Sequence, residues 1–239
     1  MLFADGGLSA LGYNTLNMAI VPAYGGWAAF LLFRRFLPKN RGGVVGAAGL
    51  AAAVSVVLSS IAFSIQWLFG ASAPVAFDDV FTAMVGVHTL IGIGEGILSA
   101  MVVAAVLASR PDLVTGAFDL DVASLRSTDK VPARTFVIGG LLVSLLFAAV
   151  VSQFAVDNPD GLEFVAEEQG FIDSAEDHAL DSSMFADYAT AGVDNETLSL
   201  AIAGVSGTLV TLAVGVGLFS AASRGTGSRP QKRTPVPAS

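Results

Sequence analysis

Two side chains in one apolar stretch stand out for the chemistry they could do. They are His88 and Glu95 of VGVHTLIGIGEGIL, about two helical turns apart. An ionisable group inside an apolar run is costly unless it has a partner or a task, so such groups mark ion paths, relays and binding sites. A plainer reading also stands: a His–Glu or Glu–Asn hydrogen bond that fixes helix packing. One imidazole and one carboxylate are too few ligands for a tight metal site. Asp5, Asn14 and Asn17 gather near the start of the chain, and the two asparagines share a face if the segment is helical. They suit interhelical hydrogen bonding, or the lining or outer support of a site that opens to one side. His178 lies alone in an acidic loop, where it is either simply solvated or a weak metal contact.

Other chemistries are excluded or unsupported. Cysteine is absent, which removes disulfides, thiolate metal sites and cysteine nucleophiles. There is no GxxxxGK[ST] phosphate loop, no HExxH helix and no GxSxG elbow. No serine is singled out as a partner for His88. The residue types point away from an enzyme, and a net charge of -8 points away from nucleic acid. No tightly bound cofactor is implied.

The elements that must position these groups are membrane spans. Over half the residues are apolar, 13% are charged and the mean hydropathy is +0.70. A soluble domain carries about 25% charged residues. The fold class is an all-α integral membrane protein. Five segments reach the roughly 20 apolar residues that a bilayer requires: Leu11–Phe33, Val44–Phe69, Val80–Ser109, Thr135–Val156 and Leu198–Ala222. The third would run to roughly 45 Å as a straight helix. Gly92, Gly94 and Gly96 sit in its middle, so a kink or break, or a short half-helix followed by a full span, is expected there.

Charge segregation orients the spans. All twelve Lys and Arg residues lie between spans one and two, between spans three and four, or after span five. Asp157 to Glu196 instead holds twelve acidic residues and no basic one. The positive-inside rule then puts the N-terminus outside and the C-terminus in the cytoplasm. The acidic loop is either a solvated surface or an antechamber that concentrates divalent cations. Within it, Asn158-Pro159-Asp160-Gly161 predicts a turn. Leu162, Val165 and Ala166 then recur at helical spacing, and Gly170 suits a helix C-terminus. The expectation is a short amphipathic helix outside the membrane.

Three stretches carry a family resemblance. LFADGGLSALGYNTLNMAIV resembles an internal segment of the CbiM/NikM family, the membrane substrate-binding components of energy-coupling-factor (ECF) cobalt and nickel transporters. VGVHTLIGIGEGILSAMVVAAVLASRPDL resembles that family's closing segment. NPDGLEFVAEEQGF, with Pro159, Asp160, Gly161, Leu162 and Glu163, resembles the PDGLE signature of the small CbiN- or NikN-like subunit. The resemblance divides the chain into 1–113, the C-terminal part of a CbiM-like domain; 114–133, a cytoplasmic linker; 134–222, a PDGLE domain of two spans and an outside loop; and 223–239, a disordered cytoplasmic tail.

The resemblance implies a component of an ATP-driven cobalt or nickel importer in the plasma membrane, serving cobalamin synthesis or nickel enzymes. Its partners would be an ECF-type transmembrane coupling protein and ATPases, with Co2+ or Ni2+ as the transported substrate. In the family, the terminal amine, a second-position His and a His on an earlier span bind the metal. Here position 2 is Leu2 and no His precedes His88, so none of those ligands is carried over and no metal site is complete in this chain. The family's opening segment would then come from a separate chain or from a start further upstream. The other reading is an accessory or degenerate membrane subunit that has lost metal binding. Asp5, Asn14, Asn17, His88 and Glu95 remain candidates for the translocation path or for support around it.

The orientation is directly testable in a chain without Cys. A Cys introduced at Ser174 is expected to react with an impermeant thiol reagent from outside, and one at Ser228 is not. The opposite labelling pattern would invert the topology.

Overall fold

The computed structural model describes residues 10–120, 131–155, 158–175, 180 and 182–225, with backbone alone at 224 and 225. Asp5, His178, part of the linker and the C-terminal tail fall outside the described residues. Five helices are long and apolar enough to cross a membrane, and no strand occurs among the described residues. This is an all-α multi-pass membrane protein.

The first span, α1, runs Leu11–Phe36. It is not a uniform α-helix, because Thr15–Ile20 is wound as a π-helix. Pro22 explains the widening. It has no N–H to give the carbonyl four residues back, and its ring would crowd that carbonyl in a regular helix. The second span, α2, is Arg41–Gly70, and its N-cap Asn40 accepts a bond from the Gly43 N–H at 2.9 Å.

The third span, α3, is Phe77–Ser109. Its 33 residues form one uninterrupted helix, so the break or separate half-helix expected at the glycines is absent. The glycines serve a different purpose. A Cβ at Gly92 would lie 2.8 Å from the Ala53 carbonyl oxygen, and one at Gly96 would lie 2.7 Å from that of Gly49. They let α2 and α3 touch backbone to backbone, which is how helices gain contact in lipid, where apolar burial gives no preference for a neighbouring helix.

The second block holds α4 (Ala133–Ala149, continued as a 3-10 turn to Phe154), α5 (Gly161–Gln169) and α6 (Glu196–Gly225). Helices α4 and α6 pack on each other, and Gln153 Nε2 donates to the Thr197 carbonyl at 3.0 Å. Helix α5 leaves that pair and docks on α3. It is the short amphipathic helix expected from the sequence, ending at Gly170 with φ 74°.

The three spans of the first block are fastened at both ends. At the basic end, residues 111–120 fold back from α3 so that Ala117 and Leu120 join Phe30, Val44, Ala47, Ala51 and Leu107 in one apolar cluster. Arg34 is buried there. Its Nη2 meets both carboxylate oxygens of Asp119 at 2.8 and 2.6 Å, and its Nη1 donates to the Pro38 carbonyl at 2.9 Å. Arg110, just past α3, lies 5.9 Å from the Phe136 ring centroid on α4. At the acidic end, Val80 and Met84 of α3 pack with Val165, Ala166 and Phe171, and Trp67 of α2 lies 4.6 Å from the Phe171 ring.

The Arg34 guanidinium, donating directly to Asp119, holds that carboxyl below the usual carboxylate range. The folded form therefore gains from this bridge at and above the ordinary carboxylate pKa of about 4 and loses that gain as pH falls through the lowered folded value. Asp119→Asn is expected to remove about 1–3 kcal/mol of stability near neutral pH, since charge-assisted bonds to a buried Arg are lost. Thermal unfolding in detergent at neutral and acidic pH measures it, with the gap between variant and parent closing only under strongly acidic conditions.

Candidate functional site

Three of the polar residues singled out in the sequence, Asn14, Asn17 and His88, meet in one cavity at the acidic end. It has a volume of ≈ 430 Å³ and lies between α1, α2, α3 and the turn that opens α5. Asn14 and Asn17 line it from α1, Ser59 and Ser60 from α2, and His88 from α3. Asp160, Gly161 and Leu162 of the PDGLE segment close it.

Each group is held by a definite contact. Asn17, inside the π-helical stretch, donates from Nδ2 to Gln66 Oε1 at 3.0 Å and accepts from Gln66 Nε2 at 2.8 Å. This reciprocal amide pair ties α1 to α2 and satisfies polar atoms that would otherwise be costly among apolar helices. Asn17 thus makes an interhelical hydrogen bond and also stands at the cavity wall. Asn14 lines the same wall, one turn nearer the N-terminus.

His88 is half-buried, and its Nδ1 lies 2.8 Å from the carbonyl oxygen of Met84, one turn back along α3. A carbonyl can only accept, so Nδ1 carries the hydrogen. In the neutral ring the lone pair is then on Nε2. Nε2 points to the PDGLE turn: a Cβ built on Gly161 would stand 3.3 Å from Nε2, 3.1 Å from Cε1 and 2.8 Å from Ile91 Cδ1. The glycine of PDGLE is the residue that lets the turn sit directly on the imidazole.

The turn itself is braced by reciprocal hydrogen bonds. Asp160 Oδ1 accepts from the N–H groups of Leu162 and Glu163 at 2.7 and 2.9 Å, and Glu163 Oε2 accepts from the Asp160 N–H at 3.1 Å. This is a reciprocal capping box. The P-D-G-L-E order thus has a local meaning: Asp caps, Gly approaches the histidine, and Glu returns the cap.

Glu95 is placed elsewhere. It is exposed on α3 about two turns from His88 and does not line the cavity. It does not hydrogen-bond to His88, whose ring is engaged with Met84. Among the described residues no three His, Asp or Glu side chains gather to hold a metal ion. Gln66, Ser59, Ser60 and Met84 were not anticipated as site residues. Gln66 carried a usable signal, an amide side chain in an otherwise apolar span, whereas nothing in the sequence marks the serines among many others.

Three apolar spans enclose a cavity into which a few polar side chains project, and a helix from an acidic loop between two further spans caps it. Residues 1–113 match the family model for the cobalt uptake substrate-specific transmembrane region, CbiM, and residues 134–224 match the PDGLE domain. Residues 1–113 are thus a CbiM-type region, and a PDGLE domain is fused behind it. It is 30% identical over 218 residues to the proposed fused nickel transport protein NikMN of Archaeoglobus fulgidus, an alignment covering 91% of this chain and 66% of that one. It is 33% identical over 119 residues to a proposed metal transport protein of Haloquadratum walsbyi, covering 50% of this chain and 52% of the other. The chain therefore spans between half and two thirds of the length of these curated relatives. No solved structure matches it.

Val165 is fully buried where α5 meets α3. Val165→Asp is expected to release the PDGLE helix, because an unpaired carboxylate cannot be accommodated there. In a Trp27→Phe background, Trp67 fluorescence should report the loss of its Phe171 contact. Unchanged emission would mean that the helix stays docked.

Proposed function

We propose that this chain is the substrate-binding membrane component of a transition-metal importer, with Co2+ or Ni2+ as the substrate. The observation that carries this reading is the seating of the PDGLE turn on the cavity where Asn14, Asn17 and His88 meet. A neutral imidazole with one nitrogen fixed by a carbonyl and the other turned into a cavity suits borderline divalent cations better than magnesium or calcium. The names of the two relatives support the same class of substrate.

The acidic loop faces outside the plasma membrane in this reading, and the basic ends face the cytoplasm, in accord with the charge segregation. The sequence holds no phosphate loop, so ATP is used by partners: an ECF-type coupling protein and its ATPases. The cavity is walled by α1, α2 and α3, and Glu95 lies exposed on α3 within a span. An ionised carboxylate facing hydrocarbon is costly. A further membrane segment covering that side, in a separate chain or a longer one, would shield Glu95 and supply the principal metal ligands. The greater length of the relatives supports this. The competing reading, an accessory subunit without metal binding, draws on the absence of a three-ligand group among the described residues.

Calorimetry separates these possibilities. The detergent-purified chain is expected to show no one-to-one Co2+ or Ni2+ site of micromolar or better affinity (about -8 kcal/mol). Co-expression with the additional N-terminal length of a fused relative should restore such a site, and uptake in cells should then fall by a modest factor on His88→Ala. A tight, salt-resistant site on the chain alone would contradict the assignment of the main ligands. Failure of the assembled protein to bind either metal would favour the accessory reading.

A further inference from the structure

We infer that His88 Nε2 and the carboxylate of Asp160 form a shared, weak site for a first-row divalent transition metal, made jointly by α3 and the PDGLE turn. The inference rests on the import reading and assigns ligands within it. Both residues line the same cavity, and the residue next to Asp160, Gly161, brings its backbone against the His88 ring.

The two donors are prepared in complementary ways. Met84 O fixes the tautomer and leaves Nε2 as the lone-pair nitrogen, the usual arrangement behind a metal-binding histidine. Asp160 uses Oδ1 for both capping bonds, and no partner of its Oδ2 occurs among the described residues. The carboxylate is thereby held at the cavity edge with one oxygen unspent.

A position at the start of α5 by itself disfavours a cation, since a helix N-terminus carries about half a positive charge. Asp160 and Glu163 together bring two negative charges to that same turn, so the local balance is negative. With two strong protein donors and the remaining positions filled by amide oxygens or water, affinity is low and exchange fast. That is appropriate to a site that passes an ion on. The arrangement also gives Gly161 a role in access: any side chain there would stand against Nε2 and block it.

The full chain, purified in detergent and labelled with 15N,13C-histidine, provides the test, because it has only two histidines. His178→Ala assigns the signals. Titration with Co2+ or Ni2+ at fixed neutral pH is expected to move or broaden the His88 ring resonances in the high-micromolar to millimolar range, and Mg2+ should not. Asp160→Asn is the informative variant, since Asn is as good an N-cap as Asp and the turn is retained while the charge is lost. It should raise the metal concentration required by about ten-fold or more. Glu168→Gln, on the exposed side of α5, should leave it unchanged. Gly161→Ala should weaken binding as Asp160→Asn does.

An unmoved His88 signal, or an Asp160→Asn titration identical to the parent, would overturn the site. Uptake by the assembled importer distinguishes this from failure of the import reading. Normal uptake at limiting metal in both His88→Ala and Asp160→Asn would remove the site from the path while leaving import intact. A titrating His88 in a complex that imports nothing would leave the site standing and reject import.

Discussion

Helices α2 and α3 touch backbone to backbone where Gly49 and Ala53 face Gly92 and Gly96, and the position of every other functional group follows from that contact. In lipid, apolar side chains give no net preference for a neighbouring helix, so close approach and hydrogen bonding must do the work that burial does in water. The contact sets the height of His88 relative to Ser59 and Ser60. It also presents Val80 and Met84 to the returning PDGLE helix. A larger side chain at Gly96 would separate the helices and shift the His88 imidazole relative to its cavity. The glycines expected to break the third span are the ones that fix it.

Spans, their number and the docking-competent face of α5 could be derived from hydropathy, charge placement and a 3.6-residue period. Asn14, Asn17 and His88 were recognisable as candidates because polar groups within spans are costly and thus few. What could not be derived is which of them meet. His88 and Asp160 are seventy-two positions apart in sequence and belong to different domains, and no local pattern reports that kind of proximity. Gln66 as the partner of Asn17 is similar, a pairing fixed by helix crossing. Glu95 shows the converse. Its type and spacing suggested company for His88, yet α3 continues as one helix and leaves it on an exposed face.

Having the PDGLE domain in the same chain alters the thermodynamics of its docking. Closure of α5 onto α3 is intramolecular, so its concentration at the cavity is set by the connecting length and not by expression of a second protein. A modest apolar patch, centred on Val165, Ala166 and Phe171, then suffices to keep the turn in place.

The two fastenings of α1, α2 and α3 differ in kind, ionic at Arg34–Asp119 and amide and aromatic at Asn17–Gln66 and Trp67–Phe171. Because both ends are laced, the spans cannot splay from one end as the blades of scissors do. Any change in the spacing of α1 and α3 has to be taken up by curvature along their length, as in a strung bow. The π-wound turn at Thr15–Ile20 carries Asn17 itself, so the amide lacing holds the irregular part of α1 in register with α2 beside the cavity.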